Sequence, residues 1–167
     1  MKLALDSCSA ILLAKATVLE SMCKKYYLIM AKTVYGEILK GRDKKFMDAL
    51  LTEKLVKEKK IIVKTVINAK LVNKLVRDFN LGKGESETLA LVIGGECDAI
   101  VTDNKQGRKS ALIHGLKLIG SIDVITALCN LKLIDKNKAQ DGLMKLKEFC
   151  WFQEYLIDNA MEDIKNA

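Results

Sequence analysis

Hydrophobic positions along the chain fall into short apolar runs and longer stretches with helical spacing. The short runs are bounded by polar or glycine residues, and they predict strands. The predicted strands are 2–5, 27–30, 61–63, 98–103 and 116–119. Elsewhere apolar residues recur every three or four positions, which predicts amphipathic helices. The predicted helices are 10–14, 18–25, one around 34–38, 43–57, 68–79, 85–93, 105–114, 122–132, 137–147 and 153–165.

The order of these elements predicts the fold class. Because strands alternate with helices, we expect a parallel central sheet wrapped by helices, that is, a helix-rich α/β protein with a three-layer α/β/α sandwich. Ser7 or Ser9 is expected to cap the first helix, and Thr33 the third. The 167 residues indicate a single domain over 1–167. Its C-terminal helices, about 122–167, are expected to pack on it or to form a dimer contact.

Composition narrows the class of protein. Half of the residues are hydrophobic and 29% are charged, which is typical of a folded domain rather than a disordered chain. No apolar run reaches the roughly 20 residues that cross a bilayer, and Asp6 interrupts any signal-peptide core. We therefore expect a soluble cytoplasmic protein without a membrane partner. The 5 scattered cysteines predict buried free thiols.

The net charge of +7 comes from one part of the chain. Residues 40–83 contain 13 Lys or Arg against 5 Asp or Glu, and the remainder is close to neutral. Such a segment attracts phosphate backbones or acidic partners. A lysine-rich solvated helix face has the same composition, so charge alone leaves both interpretations open.

Carboxylates follow two of the predicted strands. Asp6 ends the first strand and Asp103 the fourth, and parallel sheets bind ligands beyond these carboxyl ends. Glu37 and the pair Glu85 and Glu87 lie near helix starts that can face the same crevice. Acids gathered without cations repel one another unless a divalent metal neutralises them, and oxygen ligands suit Mg²⁺ or Mn²⁺. Taken singly, Asp6 is more simply an N-cap and Glu37 a solvated residue, so only the joint pattern indicates a metal site.

Several segments, taken in order, carry a resemblance to a known family. They read LALDSCS at 3–9, VYGEI at 34–38, LGKGESETLA at 81–90, IVTDNKQGRKSA at 100–111 and GLKLIGS at 115–121. In order and spacing they resemble the PIN domain, a fold of RNA-cleaving nucleases that includes toxins of the VapBC type. The third segment is similar to the G-E-x-E motif of one archaeal and bacterial subgroup. The resemblance covers residues 2–150.

The resemblance implies a set of functional residues. The implied catalytic and metal-binding acids are Asp6, Glu37, Glu85 and Asp103. Glu85 is preferred as the third acid because it precedes Asp103 by 18 residues, the gap that suits the family. Glu87 could replace or assist it, since residues two apart on a helix point about 200° apart and only one can face inward.

Further candidates each have an alternative structural role. Asp123 is a possible additional metal ligand, or else an N-terminal helix cap. Candidates for positioning the substrate are Ser7, Asn104 and Arg108. Ser7 can instead cap the first helix, as can Ser9, and the other two can stabilise the turn in which they lie.

The implied activity is metal-dependent hydrolysis of phosphodiester bonds in single-stranded or structured RNA, with Mg²⁺ or Mn²⁺ as cofactor. Implied partners are RNA, a second copy of the chain in a homodimer, and a small antitoxin protein if the chain is a toxin. With four Phe, four Tyr and one Trp, base stacking is expected to be sparse, phosphate contacts to dominate, and residues 40–83 to hold part of the RNA.

Two other functions compete with this interpretation. A catalytically silent PIN-fold module that binds RNA or regulates a partner stays open, although the four retained acids argue against it. A receiver or phosphatase also places an acid after its first strand. Those sites carry a second Asp two residues later, where this chain has Cys8, and we discount them.

Overall fold

The computed structural model describes residues 1–166 and contains one parallel sheet of five strands. Its strands are β1 (Lys2–Leu5), β2 (Tyr27–Ala31), β3 (Ile61–Lys64), β4 (Ala99–Val101) and β5 (Leu118–Ile119), in the sheet order β3-β2-β1-β4-β5. The central strand β1 buries Leu3, Ala4 and Leu5 completely, because helices cover both faces of a parallel sheet.

Helices connect the strands and extend beyond the last one. In residues 1–166 they are α1 (Ser7–Lys15), α2 (Leu19–Met22), α3 (Lys32–Leu39), α4 (Met47–Lys57), α5 (Ala69–Phe79), α6 (Lys83–Ile93), α7 (Lys105–Ile113), α8 (Ser121–Asn130), α9 (Lys136–Phe149) and α10 (Glu154–Asn166). The first two connections run from β1 toward β3 and the next two run toward β5, so right-handed crossovers place their helices on opposite faces. This confirms the predicted helix-rich α/β/α sandwich.

The register of the sheet brings the ends of β1 and β4 together. β1 pairs with β4 so that Leu5 lies beside Val101, and the Asp6 backbone N–H donates to the Val101 carbonyl oxygen at 3.3 Å. Asp6 and Asp103 therefore leave the sheet at the same edge. From β1 the chain crosses to β2 on one side of the sheet, whereas from β4 it crosses to β5 on the other side. This edge is therefore the topological switch point, where parallel sheets bind ligands.

The C-terminal helices pack on the rest of the chain. α8 contacts α1 and α2, α9 contacts α1 and α8, and α10 contacts α8 and α9. That residues 1–167 form a single domain stays a prediction, and so does a dimer contact through these helices. Residue 167 lies outside the described residues. Within residues 1–166, every helix is too short or too polar to cross a bilayer.

Two predicted helix caps are wrong. Asp6, not Ser7 or Ser9, is the N-cap of α1, and its carboxylate accepts the Ser9 backbone N–H at 2.7 Å. Thr33 lies inside α3, whose N-cap is Ala31 without a side-chain hydrogen bond. In both cases the strand runs directly into the helix, so the cap is the residue at the strand end.

Some predicted elements are shorter than expected. Residues 41–45 form turns, so the helix predicted over 43–57 begins only at Met47. The helix predicted over 18–25 is limited to Leu19–Met22, and both strands predicted on the β5 side are shorter than their apolar runs. Cys97 and Cys129 are buried free thiols as predicted, whereas Cys8 is exposed.

Candidate active site at the switch point

Asp6 is a buried acid at the end of the central strand. Its residue is 2% exposed, and within residues 1–166 it forms no salt bridge. Burial raises the pKa of Asp6 from 3.8 to about 6, because the charged form loses solvent. Hydrogen bonds from Thr102 and Ser9 oppose this rise, and the negative charge of Asp103 adds to it.

Asp103 lies two residues beyond β4, and serines from two other elements hold its carboxylate. The Ser9 hydroxyl donates to Oδ2 at 2.9 Å, and the Ser121 backbone N–H donates to Oδ1 at 2.9 Å. The Ser121 hydroxyl also donates to Oδ2. Ser9 in turn accepts the Asp103 backbone N–H at 3.1 Å. Ser9 thus joins Asp103 to the helix that Asp6 caps, so the first and fourth predicted acids lie together.

Glu37 approaches the site from α3. Its carboxylate lies against the first turn of α6, where a Cβ built on Gly84 would be 2.7 Å from Glu37 Oε1 and 3.0 Å from Oε2. Only a residue without a side chain leaves room for this approach. The structure therefore brings Glu37 to the helix that carries the two other candidate acids.

Glu85 and Glu87 take different positions on α6. Glu85 is half-buried, and its Oε2 accepts the Gly82 backbone N–H at 2.8 Å, which caps the helix. Glu87 is only 8% exposed, and its Oε1 lies 4.0 Å from Lys83 Nζ. Glu87 is three residues from Gly84 and shares its helix face, the face that Glu37 contacts, whereas Glu85 is turned about 100° from Gly84.

Asp123 and Arg108 meet Asp103 around Gly120. Asp123 Oδ2 accepts the Gly120 backbone N–H at 2.7 Å, which caps α8. A Cβ built on Gly120 would lie 3.2 Å from that oxygen, 3.3 Å from Asp103 Oδ1 and 3.2 Å from Arg108 Nη1. Asp123 is therefore both a cap and a neighbour of the acid site, and Arg108 places a positive charge beside it.

The other two positioning candidates are less directly engaged with the acids. Asn104 caps α7, and its side-chain oxygen accepts the backbone N–H groups of Gln106 and Gly107 at 2.8 and 2.9 Å. Ser7 is the first residue of α1 and is half-buried, and its hydroxyl makes no hydrogen bond to another described residue. For Asn104, the structure thus shows the alternative capping role.

Sequence reasoning missed several residues at this edge. Ser121 and Thr102 hold the two acids, yet a single Ser or Thr after a short strand carries no signal of its own. Cys150, Trp151 and Phe152 line a cavity of about 220 Å³ together with Asp103. They lie far from Asp103 in the chain, so no local pattern links them to it.

The thiol of Cys8, two residues after Asp6 in the chain, stays protonated. The pKa of Cys8 rises to about 12, mainly because of partial desolvation and then because of the charges of Asp6 and Asp103. Since the thiolate, not the thiol, is the nucleophile, the edge offers carboxylate chemistry.

These side chains fit a divalent cation. They offer carboxylate oxygens, the ligands that Mg²⁺ and Mn²⁺ prefer. A cation would also offset the negative charge of Asp103, which adds to the effect of burial in raising the pKa of Asp6. In the described part of the chain, no three Asp, Glu, His or Cys side chains are grouped closely enough to form a complete ligand set. An ion here would bind partly through water, as is usual for Mg²⁺.

Comparison with known proteins agrees with the fold. The family model DUF3368, described as a PIN domain, matches residues 2–166. No curated protein and no solved structure gave a significant match. Since the family match spans nearly the whole chain, the protein belongs to the PIN-domain family.

Proposed function

We propose that this protein is a metal-dependent endoribonuclease that hydrolyses phosphodiester bonds of single-stranded or structured RNA, with Mg²⁺ or Mn²⁺ as its cofactor. PIN domains are in general nucleases. The observation that carries the proposal is the pair Asp6 and Asp103, two acids without a salt-bridge partner that Ser9 links at the switch point. Membership of the subgroup with a G-E-x-E motif stays a prediction.

Asp6, Asp103 and Glu37 are the proposed ligands, together with one acid from α6. On α6 we favour Glu87 over Glu85, because Glu87 is buried on the helix face that Glu37 contacts. The carboxylate of Glu85 instead satisfies the Gly82 backbone N–H. Asp123 is a further proposed ligand, since its carboxylate and that of Asp103 both approach Gly120.

The surrounding residues orient these acids. A bound divalent cation supplies the charge that activates the attacking water and stabilises the leaving oxygen. The first turn of α1 fixes Asp6, and the hydroxyls of Ser9 and Ser121 fix Asp103. Arg108 lies where its guanidinium can pair with a phosphate oxygen beside Asp103.

Finer parts of the proposal concern partners. The resemblance to VapBC-type toxins supports a toxin role with a small antitoxin partner. Growth arrest on expression that Asp103→Asn relieves would test this role.

A homodimer through α8 and α9 is supported by Leu131 and Met144, which are 45% and 57% exposed. Sedimentation velocity of the native chain and of Met144→Lys tests the dimer.

The decisive experiment measures Mn²⁺- or Mg²⁺-dependent cleavage of a mixed single-stranded RNA pool. Native protein is compared with Asp6→Asn, Asp103→Asn and the control Asp98→Asn. Asp98 lies just before β4, at the opposite edge of the sheet, where it accepts the Lys2 backbone N–H at 2.7 Å. We expect cleavage to be lost in the first two variants and kept in the control.

Two other outcomes would overturn the proposal. Equal cleavage in all four proteins would identify a contaminant. RNA binding without metal-dependent cleavage, together with no binding of Mn²⁺ in calorimetry, would support the silent PIN-fold module instead.

A further inference from the structure

A groove leads away from the acid edge along α7. It lies between α7 and residues 151–156, has a volume of about 680 Å³, and begins at Asp103. We call it the α7 groove. Its volume is within the range of about 300–1,000 Å³ that accommodates small organic ligands, which is enough for a nucleotide. A ligand in this groove would extend directly to the acids.

One side of the α7 groove is basic. Lys105, Arg108 and Lys109 are spaced at i, i+3 and i+4 and therefore share one face of α7, and all three line the groove. In the described part of the chain, none of them forms a salt bridge. Arg108 Nη1 donates to the Thr102 carbonyl oxygen at 3.3 Å, so the charges of Lys105 and Lys109 are the ones fully available to an anion.

The segment 40–83 differs in this respect. Seven of its 13 Lys and Arg residues are already paired with carboxylates. Lys60, one of the paired residues, and its neighbour Lys59 directly precede β3 at the amino edge of the sheet, away from the acids. The basic excess of residues 40–83 is therefore partly neutralised by carboxylates. The smaller basic cluster on α7 forms no salt bridge in the described part of the chain and lies close to Asp103.

The other side of the α7 groove presents an aromatic ring to solvent. Trp151, the single tryptophan of the chain, is 83% exposed, and Phe152 beside it is half-buried. Tryptophan is seldom left this exposed, because it loses the free energy of burying a large apolar surface. An exposed ring next to free cations is the combination that binds single-stranded nucleic acid, where bases stack and phosphates pair.

We infer that the α7 groove binds the single-stranded RNA that the acids cleave, with one nucleobase stacked on Trp151 and neighbouring phosphates on Lys105 and Lys109. This inference rests on the proposed function and adds to it a stacking contact. It also assigns the phosphate contacts near the active site to α7. A second copy of the chain, or another protein seated on Trp151, is the competing occupant, and the experiment separates the two.

The emission of Trp151 reports on this contact directly, since the chain has one Trp. Native protein is titrated in EDTA, where metal-dependent cleavage cannot occur, with a short single-stranded RNA and with an abasic oligonucleotide of the same length. We expect saturable quenching by the RNA and none by the abasic strand. RNA affinity is measured by the fluorescence anisotropy of a labelled strand. Trp151→Ala should weaken this affinity by about tenfold, and Trp151→Phe should weaken it by less.

Matched variants at the opposite edge of the sheet control for general effects. Tyr27 is 73% exposed at the start of β2, so Tyr27→Ala removes an exposed aromatic side chain far from the acids. The double variant Lys24→Ala/Lys25→Ala changes the net charge as much as Lys105→Ala/Lys109→Ala does. Only the α7 double variant should lower the salt dependence of binding, by about 1.4 in the slope of log K against log [salt].

Three results would overturn the inference. RNA binding without quenching would show that no base stacks on Trp151. Equal losses in the control variants would show unspecific electrostatics. A concentration-dependent blue shift of the Trp151 emission without RNA would show that the groove is an interface between copies of the chain.

The inference and the proposed function can fail separately. If RNA quenches the Trp151 emission but is not cleaved under Mn²⁺, the α7 groove is an RNA-binding site and the nuclease proposal is refuted. If RNA is cleaved in a way that depends on Asp6 and Asp103 but does not quench the Trp151 emission, the nuclease proposal holds and the inference about the α7 groove is refuted.

Discussion

The carboxylate of Glu37 occupies the space that a side chain at Gly84 would need. A Cβ on Gly84 would lie 2.7 Å from Glu37 Oε1, closer than van der Waals contact allows. Glu37 is the movable partner, because its carboxylate is the end of a flexible side chain while Gly84 is fixed in the first turn of α6. The position of Glu37 at the site therefore depends on a glycine in another helix.

Gly84→Ala should separate stability from activity. Alanine favours a helix over glycine by about 1 kcal/mol, and Glu37 can turn away, so the free energy of unfolding should be unchanged or higher. RNA cleavage should fall by about tenfold to a hundredfold, because a displaced ligand misplaces the reacting groups. Urea unfolding and single-turnover cleavage measure the two effects.

Gly36→Ala is the matched control for this change. Gly36 is also helical, on α3 next to Glu37, and a Cβ there would meet nothing within 4 Å. This variant should gain a similar helix stabilisation and keep its cleavage rate. Full activity in Gly84→Ala would show that the contact with Glu37 is irrelevant to catalysis.

Ser9 should matter more than its size suggests. It donates to Asp103 Oδ2 and accepts the Asp103 backbone N–H. Ser9→Ala removes both contacts from a buried position, which should lower the free energy of unfolding by about 1–3 kcal/mol. Loss of such an orienting partner should also weaken Mn²⁺ affinity by about tenfold to a hundredfold, measured by calorimetry.

Ser110→Ala provides the comparison for Ser9→Ala. Ser110 is equally buried, but in the described part of the chain its hydroxyl has no hydrogen-bond partner. Removing that hydroxyl should leave stability unchanged or slightly raised, and Mn²⁺ affinity unchanged. If both variants lose Mn²⁺ affinity alike, Ser9 has no specific role in holding Asp103.

The fold and the two central acids could be predicted because their signals are local. Asp6 and Asp103 each follow a short run of buried apolar residues, and the rules for parallel sheets bring such strand ends together. The caps were harder, since Ser7, Ser9 and Asp6 all favour the N-cap and only the backbone conformation decides among them.

The rest of the site depends on contacts between distant parts of the chain. Trp151 reaches the edge only because α9 and α10 pack beside α8, so the expectation of sparse stacking rested on the number of aromatic residues and not on their location. Ion pairs such as Lys60 with Glu20 cross 40 positions, and they change how much of the charge in 40–83 is free. Composition cannot report either relationship.

Asp6 should make the metal-free protein pH-sensitive. Its pKa is about 6 in the folded protein against 3.8 as the reference value, so the folded state binds the proton more tightly than the unfolded state. Protonated Asp6 therefore stabilises the folded protein. This contribution is complete below about pH 3.8 and is lost as the pH rises through about 6. Above that pH the charged group costs about 3 kcal/mol relative to its protonated form.

Asp6→Asn removes this charge and keeps an N-cap residue. In EDTA, the variant should therefore gain free energy of unfolding over the native protein, and the gain should be about 1–2 kcal/mol larger at pH 8 than at pH 5. Urea unfolding at both pH values measures it, with Asp98→Asn as the control. A gain that does not change with pH would show that burial imposes no charge penalty on Asp6.

The choice between Glu85 and Glu87 can be tested without disturbing the helix. Glutamine keeps the shape and hydrogen bonding of glutamate and serves in a capping box as well, so Glu85→Gln preserves the bond to the Gly82 backbone N–H. Because Glu87 is buried on the face that Glu37 contacts, Glu87→Gln should reduce Mn²⁺-dependent cleavage by about a hundredfold or more. Glu85→Gln should reduce it by less than about tenfold, since its carboxylate already serves the cap.

Both variants should unfold at nearly the native urea concentration, which makes the comparison one of chemistry rather than folding. Raising the Mn²⁺ concentration should restore part of the activity of Glu87→Gln, because a lost ligand weakens metal affinity before it removes the reaction. The opposite ranking, with Glu85→Gln the more damaged variant, would assign the third acid to Glu85. It would also mean that the Glu85 carboxylate leaves its cap when the cation binds.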